Sequence, residues 1–248
     1  MGQLDWLFAR PIAHRGLHDR AAGVIENTPT SVDRAVEAGY AVEIDVQMTA
    51  DGEAVVFHDE TLDRLTEASG PVSERALADL RRIAFRETAD RFFTLDECLD
   101  LVGGRQALVV EIKSSFGTDL RLAARVAERL SARGGPVAAK SFDPRVVAAL
   151  RRRAPRLPRG IIGEAFAHDD PHWAGLSPAR RAAARTLLHW PATRPDFLSW
   201  HVGDLERRAV HVARALGRPV MTWTVRTPQD QARAALYADQ MVFEGFRP

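Results

Sequence analysis

The chain has few cysteines, few lysines and no long apolar run, and each scarcity narrows what the protein can be. Cys98 is the only cysteine among 248 residues, which excludes an internal disulfide framework and any multi-cysteine metal site. No segment approaches the ~18 consecutive apolar residues of a membrane span. Residues 1–11 lack the apolar core of a secretory signal, so the sequence predicts a cytoplasmic protein without stable membrane insertion.

A strong charge of one sign is also missing. The 34 basic and 33 acidic residues leave a net charge of +1, so nothing in the charge balance predicts a nucleic-acid partner. The hydrophobic share of 46% is ordinary for a soluble globular protein. The length is at the upper end for one hydrophobic core, and we expect a single domain over residues 1–248. The oligomeric state does not follow from the sequence.

Short apolar, β-branched runs alternate with longer amphipathic runs along the chain. The short runs predict strands at Ile12–Gly16, Ala41–Val46, Ala107–Lys113, Val137–Phe142, Arg159–Gly163, Phe197–Val202, Pro219–Val225 and Gln240–Glu244. The longer runs predict helices at Thr28–Ala38, Thr118–Ala132, Asp143–Arg153, Ser177–Trp190, Asp204–Leu216 and Thr227–Tyr237. Eight strand–helix units in about 250 residues indicate an α/β fold, a (β/α)8 TIM barrel. An open doubly wound sheet is the alternative, but no G-x-G-x-x-G follows the first strand.

One stretch, between Val46 and Ala107, is longer than a loop and a helix require. Its local patterns are a turn, a short strand and two short helices, at Asp51-Gly52, Glu53–His58, Ser73–Arg82 and Thr94–Leu101. We interpret residues 59–106 as a small insertion after the second strand. We expect it to cap the end of the barrel that carries the site.

Acidic side chains recur on two of the predicted strands. Glu43 and Asp45 are two residues apart, as are Glu111 and Lys113, so each pair projects from one face of its strand. Inside a barrel, unpaired carboxylates are costly without a cation. Three carboxylates from adjacent strands suit Mg²⁺ or Ca²⁺, and a buried ion-pair network with Lys113 is the alternative.

Histidines and an arginine lie at the ends of two predicted strands. His14, Arg15 and Gly16 end the first strand, and His58 ends the strand within the long stretch. Active sites of barrels lie at the carboxyl ends of strands. Two histidines beside carboxylates, an arginine and a lysine indicate phosphoryl transfer, in which one imidazole removes a proton and the other donates one.

These residues resemble the glycerophosphodiester phosphodiesterase family. The motifs H-R-G and E-N-T are present as His14-Arg15-Gly16 and Glu26-Asn27-Thr28. The motif E-x-D-V-x-x-T-x-D-G-x-x-V-V-x-H-D is matched from Glu43 to Asp59, and E-I-K by Glu111-Ile112-Lys113. Ser141-Phe142 and Trp223-Thr224-Val225 also fit, so the similarity extends from residue 12 to residue 225.

The resemblance implies metal-dependent hydrolysis of glycerophosphodiesters to sn-glycerol 3-phosphate and an alcohol, within a (β/α)8 barrel. It implies that His14 and His58 are the acid–base pair, that Glu43, Asp45 and Glu111 bind Mg²⁺ or Ca²⁺, and that Arg15 and Lys113 bind the phosphodiester. By the same analogy Trp223 is an apolar wall for the glycerol side of the substrate. A tryptophan of the core is the alternative for that position. The expected partner is a small-molecule phosphodiester.

Two positions depart from the family pattern. Arg226 follows Trp223-Thr224-Val225 where the family often has asparagine. The last strand ends in Phe243-Glu244-Gly245 where the family usually has a Thr-Asp-x-Pro-like segment. Both positions are expected near the barrel mouth, so they bear on which alcohol the pocket prefers. The resemblance assigns no role to Glu26, which could orient Arg15 or reach a metal through water.

Two other functions remain open from the sequence. A lysophospholipase D or sphingomyelinase D-like reaction would need an apolar surface, which Phe92-Phe93, Trp173 or the segment Phe166–Leu176 could supply. A non-catalytic barrel that binds phosphate esters would need only the cations. The joint presence of two histidines and three carboxylates favours an enzyme over a binding protein.

Overall fold

A computed structural model describes residues 4–167, 173 and 175–248 of the chain. Its strands are β1 (Ile12–Ala13), β2 (Ala41–Met48), β3 (Ala54–Val56), β4 (Leu108–Ile112), β5 (Val137–Ser141), β6 (Arg159–Gly163), β7 (Phe197–His201), β8 (Val220–Val225) and β9 (Gln240–Phe243). Each of the eight strands expected from the sequence is present, with bounds that differ by a few residues.

Eight of these strands form one closed parallel barrel. The order is β1-β2-β4-β5-β6-β7-β8-β9, and β1 closes the barrel because Ile12 pairs with Ala41 on one side and with Val242 on the other. Strand β3 runs antiparallel to β2 and lies outside the closed ring. The prediction of a (β/α)8 TIM barrel is therefore confirmed.

Helices surround the barrel between successive strands. They are α1 (Asp5–Phe8), α2 (Pro29–Glu37), α3 (Leu77–Leu80), α4 (Leu95–Val102), α5 (Arg121–Arg133), α6 (Pro144–Arg153), α7 (Pro178–Arg185), α8 (Trp190–Thr193), α9 (Arg208–Ala215) and α10 (Pro228–Tyr237). Proline follows the capping residue in several of them, as the sequence indicates, and Thr28 and Ser31 form a reciprocal capping box on α2. None of the described helices combines the length and apolar character that crossing a bilayer requires.

Four predicted helices differ from the structure. The predicted helix Ser73–Arg82 is a 3₁₀ turn (Val72–Glu74) followed by the short α3, and the predicted helix Thr118–Ala132 begins at Arg121. The predicted helix Ser177–Trp190 is divided into α7 and α8, because Leu187 has a φ of 57° and the backbone leaves the helical conformation there. The predicted helix Asp204–Leu216 begins only at Arg208. The Asp204 carboxylate instead accepts hydrogen bonds from the Ala165 backbone and from Arg207, so it does not cap α9.

The amino end of the barrel is closed by apolar side chains. Its inner layer is formed by small and large apolar residues from most of the strands: Ile12, Ala41, Ala107, Val109, Ala138, Phe197, Met221 and Val242. Leu7 of α1 is fully buried against this layer, and Trp6 and Phe8 pack beside it. Polar chemistry inside the barrel is consequently confined to the carboxyl ends of the strands.

The chain between β2 and β4 contains β3, α3 and α4. Around β3 it encloses a small apolar cluster of its own: Ile25, Val55, Phe57, Leu62, Leu65, Val72, Leu80, Phe85 and Phe92. Helix α4 packs against α2 and α5 in the outer ring. This packing fixes the segment against the barrel mouth, where His58 follows β3.

Candidate active site

Three buried carboxylates meet inside the barrel near the carboxyl ends of β2 and β4. Glu43 and Asp45 are 0% and 1% exposed, and Glu111 is 6% exposed. One oxygen of each lies within 4.8 Å of one oxygen of the others. The strands place them together because Asp45 pairs with Glu111 in the parallel register, and alternate residues of β2 point inward.

Two lysines and an arginine balance the three negative charges. Lys113 Nζ lies 2.7 Å from Asp45 Oδ1 and 2.5 Å from Glu111 Oε1. Lys140, on β5, lies 2.9 Å from Glu43 Oε1 and is 2% exposed. The ion-pair network with Lys113, given above as the alternative to a metal site, is thus present, and Lys140, to which the sequence assigned no role, extends it.

The charges in this cluster support each other's ionisation. Burial alone would raise the pKa of Asp45, but positive charges, led by that of Lys113, hold it well below its usual range. Burial alone would lower the pKa of Lys113, and the charges of Asp45 and Glu111 raise it instead. Glu111 likewise has a lowered pKa, because Lys113 outweighs the effect of burial. The paired charges therefore favour the ionised forms of Asp45, Glu111 and Lys113.

The donor set fits a hard divalent cation. Carboxylate oxygens are the ligands that Mg²⁺ and Ca²⁺ prefer. Glu43 Oε1 is buried without a hydrogen bond from the described residues, although the Lys140 ammonium lies 2.9 Å away. Three buried carboxylates with oxygens within 4.8 Å of one another are the feature that a bound cation would stabilise.

The turn after β1 brings Arg15 against the carboxylates. Arg15 and Gly16 have φ angles of 56° and 81°, so the chain turns sharply there. A methyl group at Gly16 would overlap the backbone of Ser31, so only glycine fits at this contact. The Arg15 backbone N–H donates to Glu43 Oε2 at 3.1 Å, and its guanidinium lies 3.2 Å from Asp45.

The three residues of the E-N-T motif have three separate contacts. Glu26 accepts a hydrogen bond from Arg15 Nη1 at 2.7 Å, so it orients Arg15, one of the two roles considered for it. Asn27 donates to Asp45 Oδ2 at 2.9 Å and accepts from the Asp45 backbone at 3.1 Å. Thr28 caps α2. One short motif therefore places an arginine, a carboxylate and a helix.

His58 is held at the mouth by the segment that follows β3. Its Nδ1 donates to Asp59 Oδ1 at 2.7 Å, and Gln47 donates to the backbone oxygens of both residues. Arg64 binds Asp59 through Nε at 2.6 Å and Glu26 through Nη1 at 3.0 Å. Arg64 thereby joins the His58 side of the site to the Arg15 side.

These ion pairs keep the Glu26 and Asp59 carboxylates charged. Burial alone would raise the pKa of Glu26, but contacts with Arg64 and Arg15 lower it to about 2. The pKa of Asp59 is also lowered, because hydrogen bonds from His58 and Arg64 outweigh burial. Arg64 was not predicted from the sequence, because a lone arginine five residues after a motif belongs to no recognisable pattern.

His14 lies after β1, the strand that pairs with β2. Its backbone N–H donates to Phe243 O at 3.0 Å, and its Nδ1 donates to Glu244 Oε2 at 2.6 Å. The two histidines thus have the same arrangement, with Nδ1 bonded to a carboxylate. In each ring Nε2 is the nitrogen left for chemistry.

Trp223 lies on β8, partly exposed and beside the aromatic residues of neighbouring loops. Its Nε1 donates to Ser199 O at 3.2 Å, and its ring packs edge-on against Phe142 and His201, with centroids 5.5 Å and 5.2 Å away. It also packs against the inner apolar layer. Trp223 therefore has features both of a residue that lines the mouth of the barrel and of a core residue.

The residues considered for an apolar, lipid-facing surface are mostly buried. Phe92 and Phe93 are 3% and 6% exposed, and Trp173 is 2% exposed within a cluster that includes Phe166 and Leu176. Within Phe166–Leu176, residues 168–172 and 174 lie outside the described residues. The described part of these segments packs inward.

The fold and the site together define a class: TIM-barrel enzymes that set carboxylates, cations and histidines around one mouth. The model of the glycerophosphoryl diester phosphodiesterase family matches residues 14–243. The chain belongs to this family, and the predicted identification as a phosphoric diester hydrolase is confirmed.

Individual relatives agree with this assignment. The chain is 42% identical to a glycerophosphodiester phosphodiesterase of Caldanaerobacter subterraneus subsp. tengcongensis over 113 residues, which cover 42% of this chain and 45% of that protein. It is 27% identical to the glycerophosphodiester phosphodiesterase of Bacillus subtilis over 95% of this chain and 83% of that protein. An Oleispira antarctica phosphodiesterase, solved with the product sn-glycerol-3-phosphate, has the same fold, with a TM-score of 0.76, 23% identity, and coverage of 94% and 91%.

Proposed function

We propose that this protein hydrolyses glycerophosphodiesters to sn-glycerol 3-phosphate and an alcohol by acid–base catalysis with His14 and His58, aided by a divalent cation. The observation that carries the proposal is the arrangement at the mouth: three buried carboxylates lie within 4.8 Å of one another, with Lys113 and Arg15 in contact with them. Two histidines with carboxylate-bound Nδ1 atoms complete it.

Glu43, Asp45 and Glu111 would hold the cation, Mg²⁺ or Ca²⁺. When bound, it supplies positive charge next to the phosphoryl oxygens. Lys113 and Arg15 add fixed positive charge from the protein, and Arg15 has donors suited to a phosphoryl oxygen pair. The lysine acts as a point charge, and Glu26 holds the arginine in place by its 2.7 Å hydrogen bond.

The proton transfers belong to the two histidines. We assign His14 as the base that accepts a proton at Nε2 from the attacking hydroxyl, which is a water or a glycerol hydroxyl. His58, as the imidazolium with a proton on each nitrogen, donates its Nε2 proton to the departing alkoxide as the bond from phosphorus to that oxygen breaks, while the bond from the attacking oxygen to phosphorus forms. The Nδ1 contacts with Glu244 and Asp59 support Nε2 as the reacting nitrogen of both rings, because each carboxylate holds the proton on Nδ1.

Trp223 fits as an apolar surface for the glycerol side of the substrate. The support is its partial exposure next to Phe142, together with its position on β8 inside the barrel. The product proposed here, sn-glycerol 3-phosphate, is also the product with which the Oleispira antarctica phosphodiesterase was solved.

The test is a panel of glycerophosphodiesters and lysophospholipids, assayed with Mg²⁺, with Ca²⁺ and with a chelator, with products identified. We expect sn-glycerol 3-phosphate from glycerophosphodiesters and no turnover in chelator. His14→Ala and His58→Ala should each lower the rate by about 10²–10⁴-fold, the usual contribution of one acid–base group. His211→Ala is the control, since His211 lies exposed on α9.

Each other outcome has a distinct meaning. Cleavage only of lysophospholipids would point to a lysophospholipase D-type enzyme. Unchanged rates in chelator would leave the carboxylates as a purely ionic network. Full activity of both histidine variants would remove the acid–base mechanism.

A further inference from the structure

The carboxylate that holds His14 is itself surrounded by positively charged and titratable groups. Glu244 Oε2 accepts from His14 Nδ1 at 2.6 Å. Arg226 donates to the same carboxylate through Nε at 3.1 Å and Nη2 at 3.3 Å. His18 Nε2 is 3.8 Å away. These three side chains face Glu244 from the turn after β1 and from the end of β8.

The two positions that depart from the family pattern are in contact with each other. Arg226 follows β8 and Glu244 follows β9, and these neighbouring strands continue their pairing there, since the Glu244 backbone N–H donates to Val225 O at 3.1 Å. The arginine and the glutamate form an ion pair. Either change alone would leave a charge without this partner, so the two substitutions compensate each other.

The same arrangement of side chains occurs at His58. His58 donates to Asp59, and Asp59 is held by Arg64 at 2.6 Å. His14 donates to Glu244, and Glu244 is held by Arg226 at 3.1 Å. Each histidine therefore has a carboxylate on Nδ1 and an arginine behind that carboxylate. The unit at His58 lies within and just after the family motif, whereas the unit at His14 is built from the two departures.

The carboxylate of Glu244 stays ionised in this environment. Burial alone would raise its pKa, but the hydrogen bond from His14 and the neighbouring side chains of His18 and Arg226 lower it below the usual range. An ionised carboxylate can only accept, so the Nδ1 atom it contacts must carry a proton. In a neutral ring the lone pair is then at Nε2.

We propose that Glu244, oriented by Arg226, is a positioning residue that sets the ring orientation and the tautomer of His14. The consequence for chemistry rests on the proposed function, in which His14 Nε2 is the base. The tautomer itself does not depend on that function. A simple structural ion pair between β8 and β9 is the competing explanation, and it would leave the proton on His14 unaffected.

The test replaces Glu244 with the neutral Gln. The amide of the Glu244→Gln variant can donate to Nδ1, which favours a ring with its proton at Nε2 and no base there. We expect kcat to fall by about 10–100-fold, the usual effect of losing a group that orients an active imidazole, with KM changed less than about twofold. Nitrogen NMR should show the His14 proton moving from Nδ1 to Nε2, with the signal assigned by its absence in His14→Ala.

Glu206→Gln is the matched control, because Glu206 also forms an ion pair with an arginine, Arg233 at 2.9 Å, and is far more exposed. Its kcat and the His14 spectrum should be those of the wild type. Arg226→Gln alone should lower kcat by less than about fivefold. The double variant with Glu244→Gln should have the same kcat as Glu244→Gln, since the arginine acts through the glutamate.

The outcomes separate the two proposals. Wild-type kcat in Glu244→Gln, or a His14 proton that stays on Nδ1, would overturn the positioning role. If the wild type cleaves no diester under any metal, the proposed function fails, and the NMR measurement still decides the positioning role because it needs no turnover. If Glu244→Gln does not fold, Glu244→Asp keeps the charge, and the positioning role requires the Nδ1 proton to remain while kcat falls.

Discussion

Lys113 and Lys140 are the two lysines of the chain, and both end on the same three carboxylates. Lys140 lies deepest, on Glu43, and Lys113 lies closer to the mouth, on Asp45 and Glu111. Removing one partner of such a buried ion pair destabilises the fold, because the other partner is left as an uncompensated buried charge. A divalent cation at the carboxylates would supply the same compensation from solution.

Lys113→Ala tests whether a divalent cation can compensate the carboxylates when the lysine is removed. We expect the free energy of unfolding to fall by about 2–4 kcal/mol in chelator, because Asp45 and Glu111 lose their shared ammonium. The loss should shrink with Mg²⁺ or Ca²⁺ present, and turnover should stay low because the phosphodiester has lost a positive contact. Urea denaturation in each condition measures the first effect.

Arg214→Ala is the control for Lys113→Ala, since the Arg214–Asp239 pair at 2.8 Å lies at the surface. The free energy of unfolding of Arg214→Ala should differ little from that of the wild type, and the difference should not depend on divalent cations. A Lys113→Ala loss that is the same with and without cations would show that the carboxylates bind no metal.

At the level of elements, the short connections after strands and before helices place more of the site residues than the long helices do. The turn after β1 places Arg15, the loop before α2 places Glu26 and Asn27, and the chain after β3 places His58. The connection from α7 to α8 shows a different use of the same principle. It partly buries His189, whose Nδ1 lies 3.3 Å from Thr193 Oγ1.

His189 predicts a pH dependence of stability. Burial lowers its pKa from 6.5 to about 4, so below pH 6.5 the unfolded chain binds a proton that the folded one does not. Stability from this group is therefore complete above pH 6.5 and is lost as the pH falls toward 4, by about 3 kcal/mol. Urea denaturation of wild type and His189→Gln between pH 4 and 7 measures the difference.

Between pH 4 and 6.5 the free energy of unfolding should change less steeply with pH in His189→Gln than in the wild type. Carboxylates elsewhere titrate in both proteins and cancel in the comparison. Parallel curves over that range would mean that His189 is protonated in the folded state at the same pH as in the unfolded one.

At the scale of the whole molecule, the barrel separates stability from chemistry. The amino end is filled by apolar side chains and covered by α1, whereas the carboxyl end carries the carboxylates, the histidines and the cations. The two groups of side chains lie at opposite ends of the eight strands. We therefore expect a change at one end to have little effect on the other.

Leu7→Ala tests this separation. Leu7 is 0% exposed against the inner apolar layer, so its loss should cost about 2–5 kcal/mol of unfolding free energy. At a temperature where the variant stays folded, kcat and KM should equal those of the wild type. Leu236→Ala, at a residue that is 71% exposed, controls for the change in composition and should do neither. A lower kcat in folded Leu7→Ala would show that the two ends are coupled.

Local sequence was sufficient for the repeating part of this protein. Strand–helix alternation indicated the barrel, because short apolar runs that form buried strands and proline-led helix starts are encoded within a few residues. The spacing of Glu43 and Asp45 indicated a shared face for the same reason. The motifs carried the resemblance to the family, which the match over residues 14–243 confirms.

Only the tertiary structure decided which distant side chains meet. Glu244 and His14 are 230 residues apart in sequence and 2.6 Å apart at their atoms. Arg64 joins Glu26 to Asp59, and Lys140 reaches Glu43 from another strand. Such contacts depend on barrel closure and on strand register, which bring together residues that no local pattern relates, and a single charged residue in a loop has no periodicity to mark it.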